Sequence, residues 1–194
     1  SKELFALLEV MIGARAFSKM DLLALTNKLK RFTTPDDRSK LHDMIRKELY
    51  HYTEVKHDCD SVLDYLWQLA NCISDQQEIT ITYYRADRKC VEHRIRPASL
   101  LFTDYYFYLI AFKTEKYVDK PTYFRVDRIK EITIHKKKSI PTENPTFDEG
   151  LLRQQSLFMW PGKLRTIRFE FSGPSVQAVL DKLPTAKIIE CLGD

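Results

Sequence analysis

Only five of the 194 residues are glycine, and they are too scattered to form a glycine-rich loop. That excludes phosphate cradling of the Walker or dinucleotide type, which needs closely spaced glycines so that backbone N–H groups can reach the anion. The four cysteines, Cys59, Cys72, Cys90 and Cys191, contain no C-x-x-C pair. A zinc site is not expected from such spacing, and His51, His57, Asp58 and Cys59 lie in a polar linker without ligand geometry. The thiols are expected to be reduced and mostly buried, as in a cytoplasmic protein. No apolar run approaches the roughly 20 residues that span a bilayer, so no membrane segment is expected. The opening Ser1-Lys2-Glu3-Leu4-Phe5 is not laid out as a secretory signal. It lacks an initiator Met, so the chain is expected to be processed or a fragment. Neither G-x-S-x-G nor H-E-x-x-H occurs, and no spacing forces an acid–base pair together. Neither enzymatic activity nor a cofactor is expected.

Charge is present but uneven. The net charge is only +4, yet residues 79–138 carry 14 Lys/Arg against 7 Asp/Glu. The same block holds 11 of the 23 aromatic residues. Basic and aromatic groups on one small fold suit an anionic, π-bearing partner such as a nucleotide or single-stranded nucleic acid. A solvated basic surface over an aromatic core is the competing reading, and composition does not separate the two.

Residues 1–76 read as helices. Leu4, Leu7, Leu8, Met11 and Ile12 mark one apolar face, and Gly13 is expected to end or loosen that helix. Ser18 is placed to cap a second helix, and Thr34-Pro35-Asp36-Asp37 starts a third. After a looser stretch, 51–60, a last helix carries Val62, Tyr65, Leu66, Leu69 and Ile73. The period then falls to two: Ile79, Ile81 and Tyr83 alternate with Thr80, Thr82 and Tyr84, as in a strand with one buried face. A second extended run, 90–102, contains Pro97, which implies an edge or a bulge. The aromatic run 105–112, then 122–126 and 129–135, complete five strands, with Asp127-Arg128 as a corner. Alternation puts Phe107, Leu109 and Ala111 on one face and Tyr106, Tyr108 and Ile110 on the other.

The expected fold is therefore α+β. A helical bundle (1–76) precedes a five-stranded Sm/SH3-like β-barrel (77–138). A linker and covering segment follow (139–163), with a short helix or cover at 147–158 and a turn at Trp160-Pro161-Gly162. The start of an α/β extension (164–194) ends the chain. In it Ile167, Phe169 and Phe171 lie inward on a strand, a helix follows Ser175, and a further strand begins at Lys187.

Four pieces carry a resemblance. They are Ile79-Thr80-Ile81-Thr82-Tyr83, Arg94-Ile95-Arg96-Pro97-Ala98-Ser99-Leu100, Phe107-Tyr108-Leu109-Ile110-Ala111 and Tyr123-Phe124-Arg125-Val126-Asp127-Arg128-Ile129. In order and spacing they resemble the WYL-domain family, with Phe107 where the name-giving tripeptide has Trp. The upstream helices resemble the segment that follows a winged helix-turn-helix in bacterial WYL transcription regulators. The resemblance implies a DNA-binding head before residue 1 and a tail continuing past 194, and the apolar stripes of the helical part suit a homodimer. It also implies an effector-sensing barrel that receives a nucleotide or nucleic-acid ligand, and duplex DNA would be met only through the missing head. Tyr108 and Arg128 match family positions. A family arginine is replaced by Thr122, for which Arg125 or Arg96 is the candidate substitute. His93 and Ser99 complete the candidate ligand set. A general single-stranded nucleic-acid-binding module is the alternative.

Overall fold

The computed structural model describes residues 1–59, 61–114, 121–138 and 165–191. It is α+β. Two compact units, Ser1–Ile140 and Pro141–Asp194, are separable.

The first unit opens with three helices, α1 (Lys2–Ala14), α2 (Lys19–Lys30) and α3 (Pro35–His51). Ser18 and Thr34 accept hydrogen bonds from the Asp21 and Asp37 N–H groups, so each caps the helix it precedes. Pro35 opens α3, where its missing N–H leaves no hydrogen bond unmade. Gly13 does not end α1. The helix runs on to Ala14, and Arg15 adopts the left-handed capping conformation at φ 52°. The strain is tolerated because Arg15 is held from both sides: its Nε donates to the Thr53 carbonyl at 2.7 Å, and its own carbonyl accepts from Val55 N–H. Leu8, Ile12, Leu22, Ile45, Leu49 and Tyr52 form the core of this helical part.

α4 (Val62–Ser74), capped by Ser61, belongs instead to the sheet, and buries Leu69 and Cys72 among strand residues. Five antiparallel strands follow: β1 (Gln77–Tyr84), β2 (Cys90–Thr103), β3 (Tyr106–Lys113), β4 (Thr122–Arg125) and β5 (Ile129–Lys138). Their order is β4-β3-β2-β1-β5. β2 serves two neighbours, β1 through its first half and β3 through its second, and the register shifts between Pro97 and Ser99. The bulge at proline is thus present, and it lets one long strand bend. The β2–β3 turn uses left-handed Asp104 and Tyr105, so the aromatic strand begins at Tyr106. β5 extends to Lys138, which faces Gln77, rather than stopping at His135.

The sheet is curled but not closed. β4 and β5 are opposite edges, about 19 Å apart in a flat five-stranded sheet. Yet only the 3-10 turn Val126–Arg128 joins them, and the four Cα steps from Arg125 to Ile129 reach at most about 14 Å. The sheet must therefore roll up. It does so until β4 meets β1: Tyr83 and Phe124 pack edge to face at 5.2 Å, and Arg125 N–H donates to the Tyr83 hydroxyl at 3.1 Å. Among the described residues no ladder joins β4 to β5, so the expected barrel is an open, strongly curved sheet. β4, four residues long and already paired to β3, yields to the turn before a closing ladder forms. Ile79, Ile81, Ile95, Leu109, Ala111, Phe124, Val126 and Ile129 fill the concave side.

In the second unit the described residues include a short helix, α5 (Gln177–Lys182). Residues 165–171 and 187–191 are in no strand. The expected tail strands lack a ladder partner among the described residues, and Ile167, Phe169 and Phe171 are exposed rather than inward. The expected cover at 147–158 and the turn at 160–162 lie outside the described residues. Among the described residues no helix is long and apolar enough to cross a membrane. Of the free cysteines only Cys72 is buried; Cys59 is half-buried, and Cys90 and Cys191 are exposed.

Candidate functional site

The candidate site is built where β3, β4 and the 3-10 turn meet. Tyr108 and Arg125 are direct cross-strand partners, so their side chains leave the same face of the sheet, opposite Leu109 and Phe124. Tyr106, two residues before Tyr108, joins them. The Arg125 guanidinium lies 3.4 Å from the centre of the Tyr106 ring, a close cation–π stack.

Arg125 is also held by its own corner. Its Nε donates to Asp127 Oδ1 at 3.0 Å and its Nη2 to Oδ2 at 2.6 Å, a two-point fork. Asp127 is 3% exposed and Arg125 18%. A third group reaches this pair from far along the chain. His57, in the segment between α3 and α4, places Nδ1 3.8 Å from Asp127 Oδ2 and meets the Tyr106 ring edge to face. Burial pushes the Asp127 carboxyl up, but the His57 and Arg125 contacts outweigh it and hold the carboxyl below the ordinary carboxylate range. For Arg125, burial acts against the charge and Asp127 more than restores it.

Tyr108 is half-buried, and burial raises its hydroxyl above the ordinary value while the Arg125 charge opposes that. Among the described residues the Tyr108 hydroxyl makes no hydrogen bond. Arg128 stands at the same corner but turns to the other side, toward the Tyr83 hydroxyl. That hydroxyl is raised by burial and lowered by the Arg125 N–H and Arg128. The corner is thus pinned by the Arg125–Asp127 pair.

The remaining sequence candidates disperse. His93 lies on the concave side, 5.3 Å from the Phe124 ring. Arg96 lies over Phe112, its cross-strand partner, farther along the sheet. Ser99 is buried opposite Ile110. The structure therefore brings Tyr108 and Arg125 together and places Arg128 nearby, while His93, Arg96 and Ser99 lie elsewhere. Tyr106, Asp127 and His57 are the site residues that pattern reading missed. One signal was present: Asp127 lies between Val126 and Ile129, both fully buried, and an acid so placed needs a partner. No group of three or more His, Cys, Asp or Glu residues that could hold a metal occurs among the described residues.

The arrangement puts a phenol, an aromatic ring and a guanidinium on one surface, groups that can stack, donate hydrogen bonds and attract an anion. The family model described as the WYL domain matches residues 64–134. No curated protein matches the chain. Among solved structures, proteasome accessory factor B/C (PafBC) of Arthrobacter aurescens is similar at 17% identity and a TM-score of 0.40, over 45% of this chain. The match spans 13% of that much longer chain. Residues 64–134, which hold most of α4, strands β1 to β4 and the first part of β5, are a WYL domain.

Proposed function

We propose that this chain is the effector-sensing part of a WYL-type transcription regulator, non-catalytic, with its DNA-binding head outside these residues. Its ligand is a nucleotide or a short single-stranded nucleic acid. The observation that carries this reading is the Tyr108 hydroxyl, half-buried and without a hydrogen bond among the described residues, beside the Arg125–Tyr106 stack. A base can stack on this aromatic surface, and a phosphate is drawn by the basic block. Arg128, at the same corner, swings from the Tyr83 hydroxyl to share the phosphate with Arg125. The helical part carries exposed Leu7, Val10 and Met20, which suit a second protomer, and a ligand that favours one arrangement of the pair would reset the heads. The open curled sheet would complete a Sm-like barrel through further contacts between β4 and β5.

Anisotropy titration with a labelled short oligothymidylate tests this. Binding should saturate, and Arg128→Ala should lose roughly 1.5–3 kcal/mol, the range for a hydrogen bond to a charged group. Equal affinity in the variant would remove Arg128 from the site. The second reading, a general single-strand binder, is favoured by the uneven charge of residues 79–138. It requires affinity that rises with strand length and falls steeply with salt.

A further inference from the structure

The segment 52–59 is a strap that ties the helices to the site. At one end the Tyr52 hydroxyl donates to the Phe17 carbonyl at 2.7 Å, Glu54 accepts from Lys19 N–H, and Thr53 and Val55 clasp Arg15. At the other end Asp58 pairs with Arg88 of the β1–β2 turn at 2.7 Å. Between them His57 is driven against Asp127. Its side chain is only 9% exposed, and among the described residues neither ring nitrogen has a partner within hydrogen-bond distance. A buried imidazole with both nitrogens unpartnered costs free energy without return unless another state uses it. The 3.8 Å gap to Asp127 is an ion-pair distance, longer than a hydrogen bond.

Arg125, the guanidinium nearest Tyr108, is already occupied by Asp127. An anion that takes Arg125 must therefore displace this carboxylate, and Asp127, 3% exposed, would be left buried without its cation. The groups facing His57 are Asp127 from the 3-10 turn, Arg125 behind that carboxylate, and the uncharged Tyr106 ring from β3; the adjacent Asp58 is engaged by Arg88. Among the described residues that face this carboxylate, the imidazole is the group that can supply the missing positive charge. We propose that His57 is a proton-coupled latch on the ligand site: when an anion captures Arg125, His57 takes one proton from solvent and replaces Arg125 as the partner of Asp127. The proton binds a ring nitrogen, the Arg125–Asp127 hydrogen bonds break, and a His57–Asp127 hydrogen bond forms. The strap then moves with His57 and carries the change to α1 and α2. This rests on the ligand reading above for its trigger, but not for the His57–Asp127 exchange itself.

Two measurements separate the parts. Without ligand, Arg125→Gln imitates the captured guanidinium. The His57 protonation midpoint, read by imidazole nitrogen NMR, should rise by about one pH unit or more, the scale on which an uncompensated neighbouring carboxylate acts. Arg125→Lys, which keeps the cation, should leave it much nearer the parent value, and guards against a folding defect in the first variant. A midpoint unmoved in Arg125→Gln overturns the latch. With ligand, calorimetry of short oligothymidylate binding in buffers of different ionisation enthalpy should show net proton uptake by the parent chain and none by His57→Gln. Binding with the same proton balance in both overturns the coupling and leaves the ligand reading standing. Absence of binding in both overturns the ligand trigger, while the NMR midpoint still decides the exchange.

Discussion

Asp127→Asn changes one charge and almost no volume, and so isolates the pair that fixes the corner of the sheet. The amide oxygen can still accept one of the two Arg125 hydrogen bonds, but the amide NH2 then faces the other guanidinium N–H. Breaking a fully buried ion pair by removing one partner costs about 3–5 kcal/mol. Arg125 is 18% exposed and keeps its stack on Tyr106, so part of its charge remains compensated. The expected loss at neutral pH is about 2–3 kcal/mol, in the range of a charged hydrogen bond plus partial desolvation. Urea unfolding followed by circular dichroism reads it as a lower midpoint with an unchanged slope. The pH dependence gives a second check. The folded Asp127 carboxyl titrates below its ordinary value, so its contribution is present above the unfolded value of about 3.9 and is lost as pH falls through the depressed folded value. The difference between parent and variant should hold from neutral pH to about 5 and close below about 4. A loss under about 0.5 kcal/mol at neutral pH, the level of an ordinary surface change, would refute the corner as described.

Other expectations are simpler. Gly13→Ala should stabilise the chain by about 0.5–1 kcal/mol, because the helix continues past Gly13 and a Cβ there meets nothing within 4 Å; thermal unfolding checks it, and a lower midpoint contradicts it. Leu69→Ala should cost about 2–5 kcal/mol, since Leu69 of α4 is fully buried in the sheet's core, and the same unfolding assay would show a small loss if α4 packed elsewhere. Tyr108→Phe should leave stability unchanged, its hydroxyl having no hydrogen bond among the described residues, while weakening oligothymidylate binding several-fold; a stability loss above about 1 kcal/mol would mean the hydroxyl serves the fold.

Much of the fold was legible because the relevant forces are local. Ser18 and Thr34 cap helices from positions that sequence marks, and the period-two alternation of residues 79–84 needs no knowledge of the partner strand. The assignment of Phe107, Leu109 and Ala111 to the core side, away from Tyr106 and Tyr108, follows from the same pleat. What failed depends on contacts between distant residues. Gly13 looks like a helix stop, yet the stop falls at Arg15, whose left-handed backbone is bonded to residues of the strap. Closure of the sheet is set by the length of β4 and the 3-10 turn. Arg125 was read as a free substitute for the absent family arginine, but Asp127 two residues on occupies it. His57, 70 residues from Asp127, looked like a linker histidine, and only the tertiary fold brings it onto that carboxylate.

The central claim is that ligand sensing is localised at the β3–β4 corner. Amide chemical-shift mapping during titration with a short oligothymidylate tests it directly. Saturable shifts concentrated at Tyr106, Tyr108 and Arg125 to Arg128 are expected, with an echo in the strap around His57. Shifts spread along the basic surface without saturation, or none at the corner, would contradict it.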